Sequence, residues 1–167
     1  MTRELALIIT LAVTALILVS MVVAWRARLR RDAGLTAPLG VPEHAEVTSR
    51  HEVLYVATTR HDEPLERLAV KPLVYRARGE AVVTDRGLAL SLDGAPTVFL
   101  ASRRLVAVDR ATVTIDRVVE PGGLVRVAWR IDDETIVDSY LRFIGDPAAV
   151  ITELQRLSAA PDQGANE

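Results

Sequence analysis

The sequence predicts a mainly β fold: an antiparallel barrel or sandwich of about seven strands, closed by a C-terminal α-helix and preceded by a transmembrane helix. Three observations predict it. Residues 5–25 form an uncharged apolar stretch. From residue 51, short runs of β-forming residues alternate with turn residues. After them, residues 146–157 are the one stretch of this part with helical periodicity.

The uncharged stretch has the length and composition of a membrane span. Leu5–Trp25 would form a helix of about 31 Å, which matches the roughly 30 Å hydrocarbon core of a bilayer. It is apolar on all sides, whereas a helix of a soluble protein has a polar face. Trp25 ends the stretch, where an indole favours the headgroup region, so we predict it as an interface anchor. A cleaved signal peptide is the alternative, but its apolar region is typically shorter.

Four arginines directly follow the span: Arg26, Arg28, Arg30 and Arg31. On the other side of the span Arg3 is the single basic side chain, next to Glu4. By the positive-inside rule, the arginines are a topology signal that places the N-terminus outside and the C-terminal domain in the cytoplasm, at the inner (plasma) membrane. Nucleic-acid binding is not predicted, because the net charge is −2 and the pI is about 6.0. Nucleic-acid-binding domains are instead strongly basic.

The chain divides into four predicted segments. They are a transmembrane anchor (1–25), a basic juxtamembrane segment and flexible linker (26–50), a folded domain (51–158) and a disordered tail (159–167). The linker contains glycine and proline and shows no apolar period. A polar stretch at 60–73 with two prolines predicts a long connection between the first two strands. The absence of cysteine excludes disulfides and cysteine metal sites.

The last predicted element is an amphipathic helix of about three turns. Asp146 is its predicted N-cap and Pro147 its first residue. Its apolar stripe contains Val150, Ile151, Leu154 and Leu157.

Seven short antiparallel strands and one C-terminal helix are the element order of the pleckstrin-homology-like (PH-like) fold. The resemblance rests further on YVATTRHDEPLERL (55–68), AVVTDRGLAL (81–90), ATVTIDRVVEPGGLVRVAW (111–129) and DSYLRF (138–143). With the N-terminal span, these stretches resemble a family of actinobacterial single-span membrane proteins with a bacterial PH-like domain. The resemblance implies two near-orthogonal sheets with the helix closing one open end. It implies no reaction and supplies no catalytic residues.

No catalytic, cofactor-binding or metal site is predicted. His44, His51 and His61 each lie near acidic residues, but their spacing fits no common zinc motif, so we predict solvated side chains. Asp132–Glu134 lacks the alternating ligands of a calcium loop and is predicted as a hairpin turn. No serine has the G-x-S-x-G setting of a hydrolase. An enzyme is therefore disfavoured.

PH folds are known for binding phosphoinositides, which requires converging basic residues. The predicted connection between the first two strands offers Arg60, Arg67 and Lys71 as candidate contacts to lipid headgroups. Three acidic residues of the same connection balance them: Asp62, Glu63 and Glu66. A stretch without net charge is a poor phosphate site.

We therefore predict a non-enzymatic scaffold or adapter that is tethered to the membrane, with its PH-like domain facing the cytoplasm. Its expected partners are the lipid bilayer and another protein, and no cofactor is expected. Two alternatives stay open. One is a module that senses anionic lipid. The other is an accessory subunit of a transporter or export complex, in which the span would dock against other helices.

Overall fold

The computed structural model describes residues 3–32, 34–111 and 123–159 of the chain. The chain divides into two compact units, Met1–Gly34 and Leu35–Glu167. The first unit contains helix α1 (Arg3–Asp32), and the second contains a β-sheet and helix α2 (Ala148–Ala159). Residues 112–119, the end of a predicted strand region, and residues 160–167 of the predicted tail lie outside the described residues.

Helix α1 is apolar over most of its length. Arg3–Ala27 has a mean hydropathy of 2.8 and, by length and composition, is a candidate membrane span. Its polar side chains are satisfied within the helix: the Thr14 hydroxyl donates to the Thr10 carbonyl at 2.8 Å, and the Ser20 hydroxyl to that of Ile17. Such back-bonding suits an environment without water. The helix continues to Asp32, so the juxtamembrane arginines are helical and do not begin a linker.

The strands in chain order are β1 (Val47–Arg60), β2 (Glu63–Arg67), β3 (Ala77–Thr84), β4 (Gly87–Leu92), β5 (Val98–Ala101), β6 (Leu105–Ala111), β7 (Leu124–Arg130) and β8 (Ile136–Phe143). They form an antiparallel sheet in the order β5, β4, β3, β1, β8, β7, β6, and β2 pairs with β1 alone. This confirms the mainly β fold with its C-terminal helix. The strand that sequence reasoning missed is β2, which contains Pro64. Proline is tolerated there because β2 pairs on one side only.

Strand β1 belongs to both halves of the sheet. Its first part pairs with β3, from Val47↔Thr84 to Tyr55↔Ala77. Its second part pairs with β8 as far as Arg60↔Val137, with a register shift between Tyr55 and Ala57. A bulge of this kind bends a strand and increases its twist. The bend allows β1 to join two groups of strands around one core.

The core forms from alternate strand residues, as their period of two predicts. Val125, Val127 and Trp129 of β7 are 0% exposed. From α2, Val150, Ile151 and Leu154 are buried, and Leu157 packs against the same cluster. The Asp146 carboxylate accepts the Ala148 N–H at 3.1 Å, which confirms the predicted cap.

The folded unit starts earlier than the predicted boundary at residue 51. Ala37 is buried in the core. Its N–H donates to the Lys71 carbonyl at 2.9 Å, and the Phe99 N–H donates to the Pro38 carbonyl at 3.0 Å. We call residues 35–40 the covering segment. It differs from the predicted flexible linker because its backbone groups pair with the domain, a contact that local composition does not reveal.

Candidate functional site

The residues of the topology signal all lie in α1. Trp25 is 62% exposed, and Arg26, Arg28, Arg30 and Arg31 follow it in the same helix. The orientation that they predict stays a prediction.

The three predicted lipid contacts do not form a free basic cluster. The Arg60 Nε lies 3.7 Å from a carboxylate oxygen of Glu66. The Arg67 guanidinium donates to the Val74 carbonyl at 2.9 Å. Lys71 is exposed. Two of the three side chains are thus engaged within their own domain.

The histidines have three different surroundings. His44 is exposed in a turn. His51 is partly buried: its Nε2 lies 3.1 Å from the Ser49 hydroxyl, and its ring packs edge-on against Phe143. His61, in the turn between β1 and β2, contacts Asp138 of β8. His51 and His61 therefore have partners within the domain, and His61, predicted as solvated, keeps 33% of its side chain exposed.

His61 belongs to a charged cluster on the outer face of the sheet. We call it the Asp138 cluster, and its members are His61, Asp62, Asp109, Arg126 and Asp138. Asp138 is 0% exposed. Its Oδ1 lies 2.8 Å from His61 Nδ1, and its Oδ2 accepts the Asp62 backbone N–H at 3.1 Å. The Arg126 Nη1 lies 3.5 Å from that Oδ2. The buried carboxylate thus has a partner on each oxygen.

Arg126 links the remaining carboxylates. Its Nε and Nη2 donate to the two oxygens of Asp109 at 3.0 and 2.7 Å. Its Nη1 donates to Asp62 Oδ1 at 3.1 Å. The hydrogen bond to Asp109, followed by the nearby carboxylate charges, raises the pKa of Arg126 above its already high usual value. The guanidinium is therefore a permanent positive charge among three carboxylates.

Strand register assembles this cluster. Arg126 lies directly opposite Asp109 on β6, and Asp138 lies opposite Thr59 near the end of β1. Alternation places Arg126 on the outer face, because its neighbours Val125 and Val127 face the core. His61 and Asp138 are 77 residues apart in the chain. Spacing rules for metal ligands, which look for nearby residues, could not have found this pair.

Within the described part of the chain, one group of His, Cys, Asp and Glu side chains has three ligand atoms within 4.8 Å of one another: His61, Asp62 and Asp138. His61 and Asp62 are open to solvent, with 33% and 73% of their side chains exposed. These three side chains are therefore the candidate metal ligands of the described residues.

A second polar network lies inside the core. The Tyr55 hydroxyl donates at 2.9 Å to the Leu73 carbonyl and lies 2.9 Å from the Thr58 hydroxyl. The hydroxyls of Thr58 and Ser139 are 2.8 Å apart, and the Trp129 indole N–H donates to Ser139 at 2.9 Å. Burial raises the pKa of Tyr55 well above its usual value. Since Ser139 is enclosed and no base lies beside it in this network, it is structural.

A groove of about 550 Å³ opens where β1 changes partner. On its two sides, Arg78 and Arg142 lie directly opposite Leu54. Both arginines are exposed, and neither forms an ion pair with another described residue. Glu52 and Glu80 line the same groove, so the two arginines lie beside a half-buried apolar side chain without giving the groove a net positive charge.

The two ends of the sheet differ in what lies against them. The edge of β5 pairs with the covering segment through Leu39↔Val98. At the other end, β6 has helix α2 beside it, and the Gln155 side chain donates to the Val108 carbonyl at 2.7 Å. The Arg110 guanidinium reaches the Asp146 carboxylate at 2.8 Å. Among the described strands, β6 is therefore the terminal strand that no other strand covers.

The family follows from a comparison with family models. The model described as bacterial PH domain-like matches residues 35–158. The chain belongs to this family. The match begins at the residue where the second compact unit begins, so the covering segment is part of the family domain. Domains of this kind are typically non-enzymatic modules that bind proteins or lipids. The narrower resemblance to actinobacterial single-span proteins stays a prediction.

Solved structures agree on the fold. The chain is similar to the solution structure of the C-terminal phosphotyrosine interaction domain of mouse APBB2, at 13% identity and a TM-score of 0.50. The similarity covers 75% of this chain and 95% of the mouse domain. At this identity the likeness shows the fold alone. No curated protein matches the chain.

Proposed function

We propose that this protein is a non-enzymatic adapter, tethered to the inner membrane by α1, whose PH-like domain binds a protein partner on the cytoplasmic side. The partner would add an extended segment to the edge of β6. The observation that carries this proposal is the difference between the two ends of the sheet. The chain itself covers β5, while β6 ends the described sheet.

A sheet edge that no other strand covers presents backbone N–H and C=O groups that can pair with another chain. The Val108 carbonyl shows which groups of β6 face this edge, because it accepts from Gln155 of α2. In an antiparallel strand, alternate residues direct their backbone groups to the same side. We therefore expect the Arg110 N–H to face the open edge as well.

The tether would keep the domain attached to the membrane by a short connection. Only residues 33 and 34 separate the end of α1 at Asp32 from the start of the folded unit at Leu35. The arginines that end α1 support a cytoplasmic domain, since positively charged flanks are retained on that side. An accessory subunit of a transporter or export complex would be a special case, with the partner in the same membrane.

A pair of variants at one position tests the edge. Arg110→Pro removes the N–H and the side chain, whereas Arg110→Ala removes the side chain and its ion pair with Asp146 alone. The full chain, crosslinked in native membranes and purified in mild detergent, should retain a stoichiometric partner with Arg110→Ala and lose it with Arg110→Pro. Circular dichroism checks that both variants fold. Equal recovery of the partner with both folded variants would contradict binding at β6.

A fusion tests the orientation. Alkaline phosphatase joined after Arg156 should be inactive if the domain is cytoplasmic, and a matched green fluorescent protein fusion should fluoresce. An active phosphatase would place the domain outside and remove the proposed partner side.

Sensing of anionic lipid is the second candidate: Arg78 and Arg142 of the groove favour it, whereas Glu52 and Glu80 of the same groove oppose it. The full chain in nanodiscs of pure phosphatidylcholine and of phosphatidylcholine with phosphatidylglycerol separates the two functions. Lipid sensing predicts stronger hydrogen-exchange protection around Leu54 in the anionic discs at physiological salt, and its loss in Arg78→Ala with Arg142→Ala. An adapter predicts the same protection in both discs.

A further inference from the structure

We propose that His61 and Asp62 bind one Zn²⁺ ion on the outer face of the sheet, with the buried Asp138 as the residue that positions His61. The ligand atoms would be His61 Nε2 and Asp62 Oδ2. The remaining coordination positions would be open to water or to a side chain of another molecule. This proposal does not depend on the proposed function.

The first argument is the orientation of the imidazole. His61 Nδ1 lies 2.8 Å from Asp138 Oδ1. An ionised carboxylate only accepts hydrogen bonds, so Nδ1 carries a proton, and in the neutral imidazole, the form that binds a metal, Nε2 then has the free lone pair. Zinc-binding histidines usually donate the N–H of the other ring nitrogen to a carboxylate, a backbone carbonyl or water. Asp138 is well suited to this role because it is buried and is held in turn by the Asp62 backbone N–H.

The second argument is the distance between the proposed ligand atoms. Two ligands roughly 2.0–2.2 Å from a tetrahedral Zn²⁺ lie about 3.4 Å apart. His61 Nε2 and Asp62 Oδ2 are 3.5 Å apart. The other oxygen of Asp62 accepts from Arg126, which fixes the carboxylate without occupying Oδ2. The two ligand atoms therefore need no large movement to share one ion.

The third argument is charge. The Asp138 cluster contains three carboxylates and one guanidinium, and Arg126 makes its two-point contact with Asp109. Asp62 and Asp138 are left with an excess of two negative charges when His61 is neutral. A divalent ion would balance this excess. An imidazole nitrogen beside a carboxylate also favours Zn²⁺ over Mg²⁺, which prefers oxygen ligands.

Zinc titration of the purified full chain in detergent, read by competition with a chromogenic chelator, tests the site. We expect saturable binding of one Zn²⁺ per chain, unaffected by millimolar Mg²⁺. Asp138→Asn should weaken binding roughly 10–100-fold, as loss of a positioning carboxylate usually does. His61→Gln and Asp62→Asn, which remove ligands, should weaken it further. His44→Gln, at an exposed histidine elsewhere in the chain, is the matched control and should bind as the parent does.

A variant of Arg126 tests the site by an expected increase in Zn²⁺ affinity, whereas the variants above should decrease it. Arg126→Met removes a positive charge beside Asp62 and should tighten Zn²⁺ binding roughly tenfold, the size expected for charges a few ångströms apart in water. Arg142→Met, which removes an exposed charge outside the cluster, should leave affinity unchanged. Saturable binding that His61→Gln and Asp62→Asn leave intact would overturn the proposal, as would no binding by the parent. Because Asp62 is a surface residue, Asp62→Asn tests the site even if Asp138→Asn unfolds.

Discussion

Two polar networks lie on opposite faces of strand β8, one inside the core and one on the outer face. Comparing them shows which polar groups stabilise the fold and which could bind a ligand. Ser139 and Asp138 are neighbours on β8, and both are 0% exposed. Ser139 faces the core and joins only uncharged groups, namely Thr58, Tyr55 and Trp129. Asp138 faces outward and joins a histidine and an arginine that reach solvent. Strand alternation alone assigns the two neighbours to these different surroundings.

The difference in charge and solvent access between the two networks indicates where a ligand could bind. The inner network is closed, so its hydrogen bonds specify how β1, β7 and β8 pack and can do little else. The outer network contains charges whose desolvation is offset by their mutual contacts and, for Asp138, by the Asp62 backbone N–H. A cation or a partner could exchange with those contacts.

The largest expected effect comes from breaking the inner network. Ser139→Ala removes the acceptor of the Trp129 N–H, which is a donor without another partner in this network. Leaving a buried donor unpaired costs about 1–3 kcal/mol. We expect the free energy of unfolding to fall by about 2 kcal/mol in thermal or urea unfolding of the full chain in detergent.

Ser158→Ala is the control for that change, because Ser158 lies in the last turn of α2 and bonds only to the Gln155 carbonyl within its own helix. We expect its effect to stay within about 0.5 kcal/mol. If the two serine variants were equally stable, the indole contact would not contribute to the fold.

A second prediction compares one tyrosine from each side. Burial raises the pKa of Tyr55 in the core and, less strongly, that of Tyr140 on the outer face. Since the folded-state pKa values exceed that of unfolded tyrosine, about 10, the stabilisation is complete below pH 10 and is lost as pH rises further. Each group can reduce stability by at most about 1.4 kcal/mol per pH unit there. Unfolding midpoints between pH 9 and 11.5 measure the slope.

The variants Tyr55→Phe and Tyr140→Phe separate the contributions of the two tyrosines to the loss of stability at alkaline pH. Tyr55→Phe should remove more of the alkaline slope than Tyr140→Phe, because the pKa of Tyr55 is the more strongly raised. Comparing slopes cancels the hydrogen bonds that Tyr55→Phe also loses at neutral pH. An unchanged slope in both variants would show that other groups cause the alkaline loss.

The periodicity of apolar residues was sufficient to predict a strand or helix wherever one face of that element packs against the core. The alternation of Val125, Val127 and Trp129 predicted β7, and Asp146 before an apolar stripe predicted α2. Two features could not be read locally. Ala37 lies in a stretch with the composition of a linker, and its burial depends on the distant Lys71. The same limit hid the Asp138 cluster, because His61 and Asp138 meet only after the register of β1 and β8 is known.

The smallest expected change in the free energy of unfolding comes from removing the positive charge of the outer network, Arg126. Arg126→Met removes the two-point contact with Asp109, whose side chain is 41% exposed, and the longer contact with the buried Asp138 at 3.5 Å. Because Asp138 keeps His61 and the Asp62 N–H as partners, we expect a loss of about 1 kcal/mol at low salt. In 1 M NaCl the Debye length falls to about 3 Å, and the loss should shrink because this partly exposed pair is screened. The effect of Ser139→Ala should not change, since no charge takes part. Unfolding of both variants at low and high salt measures this, and equal salt sensitivity would remove the distinction between the two networks.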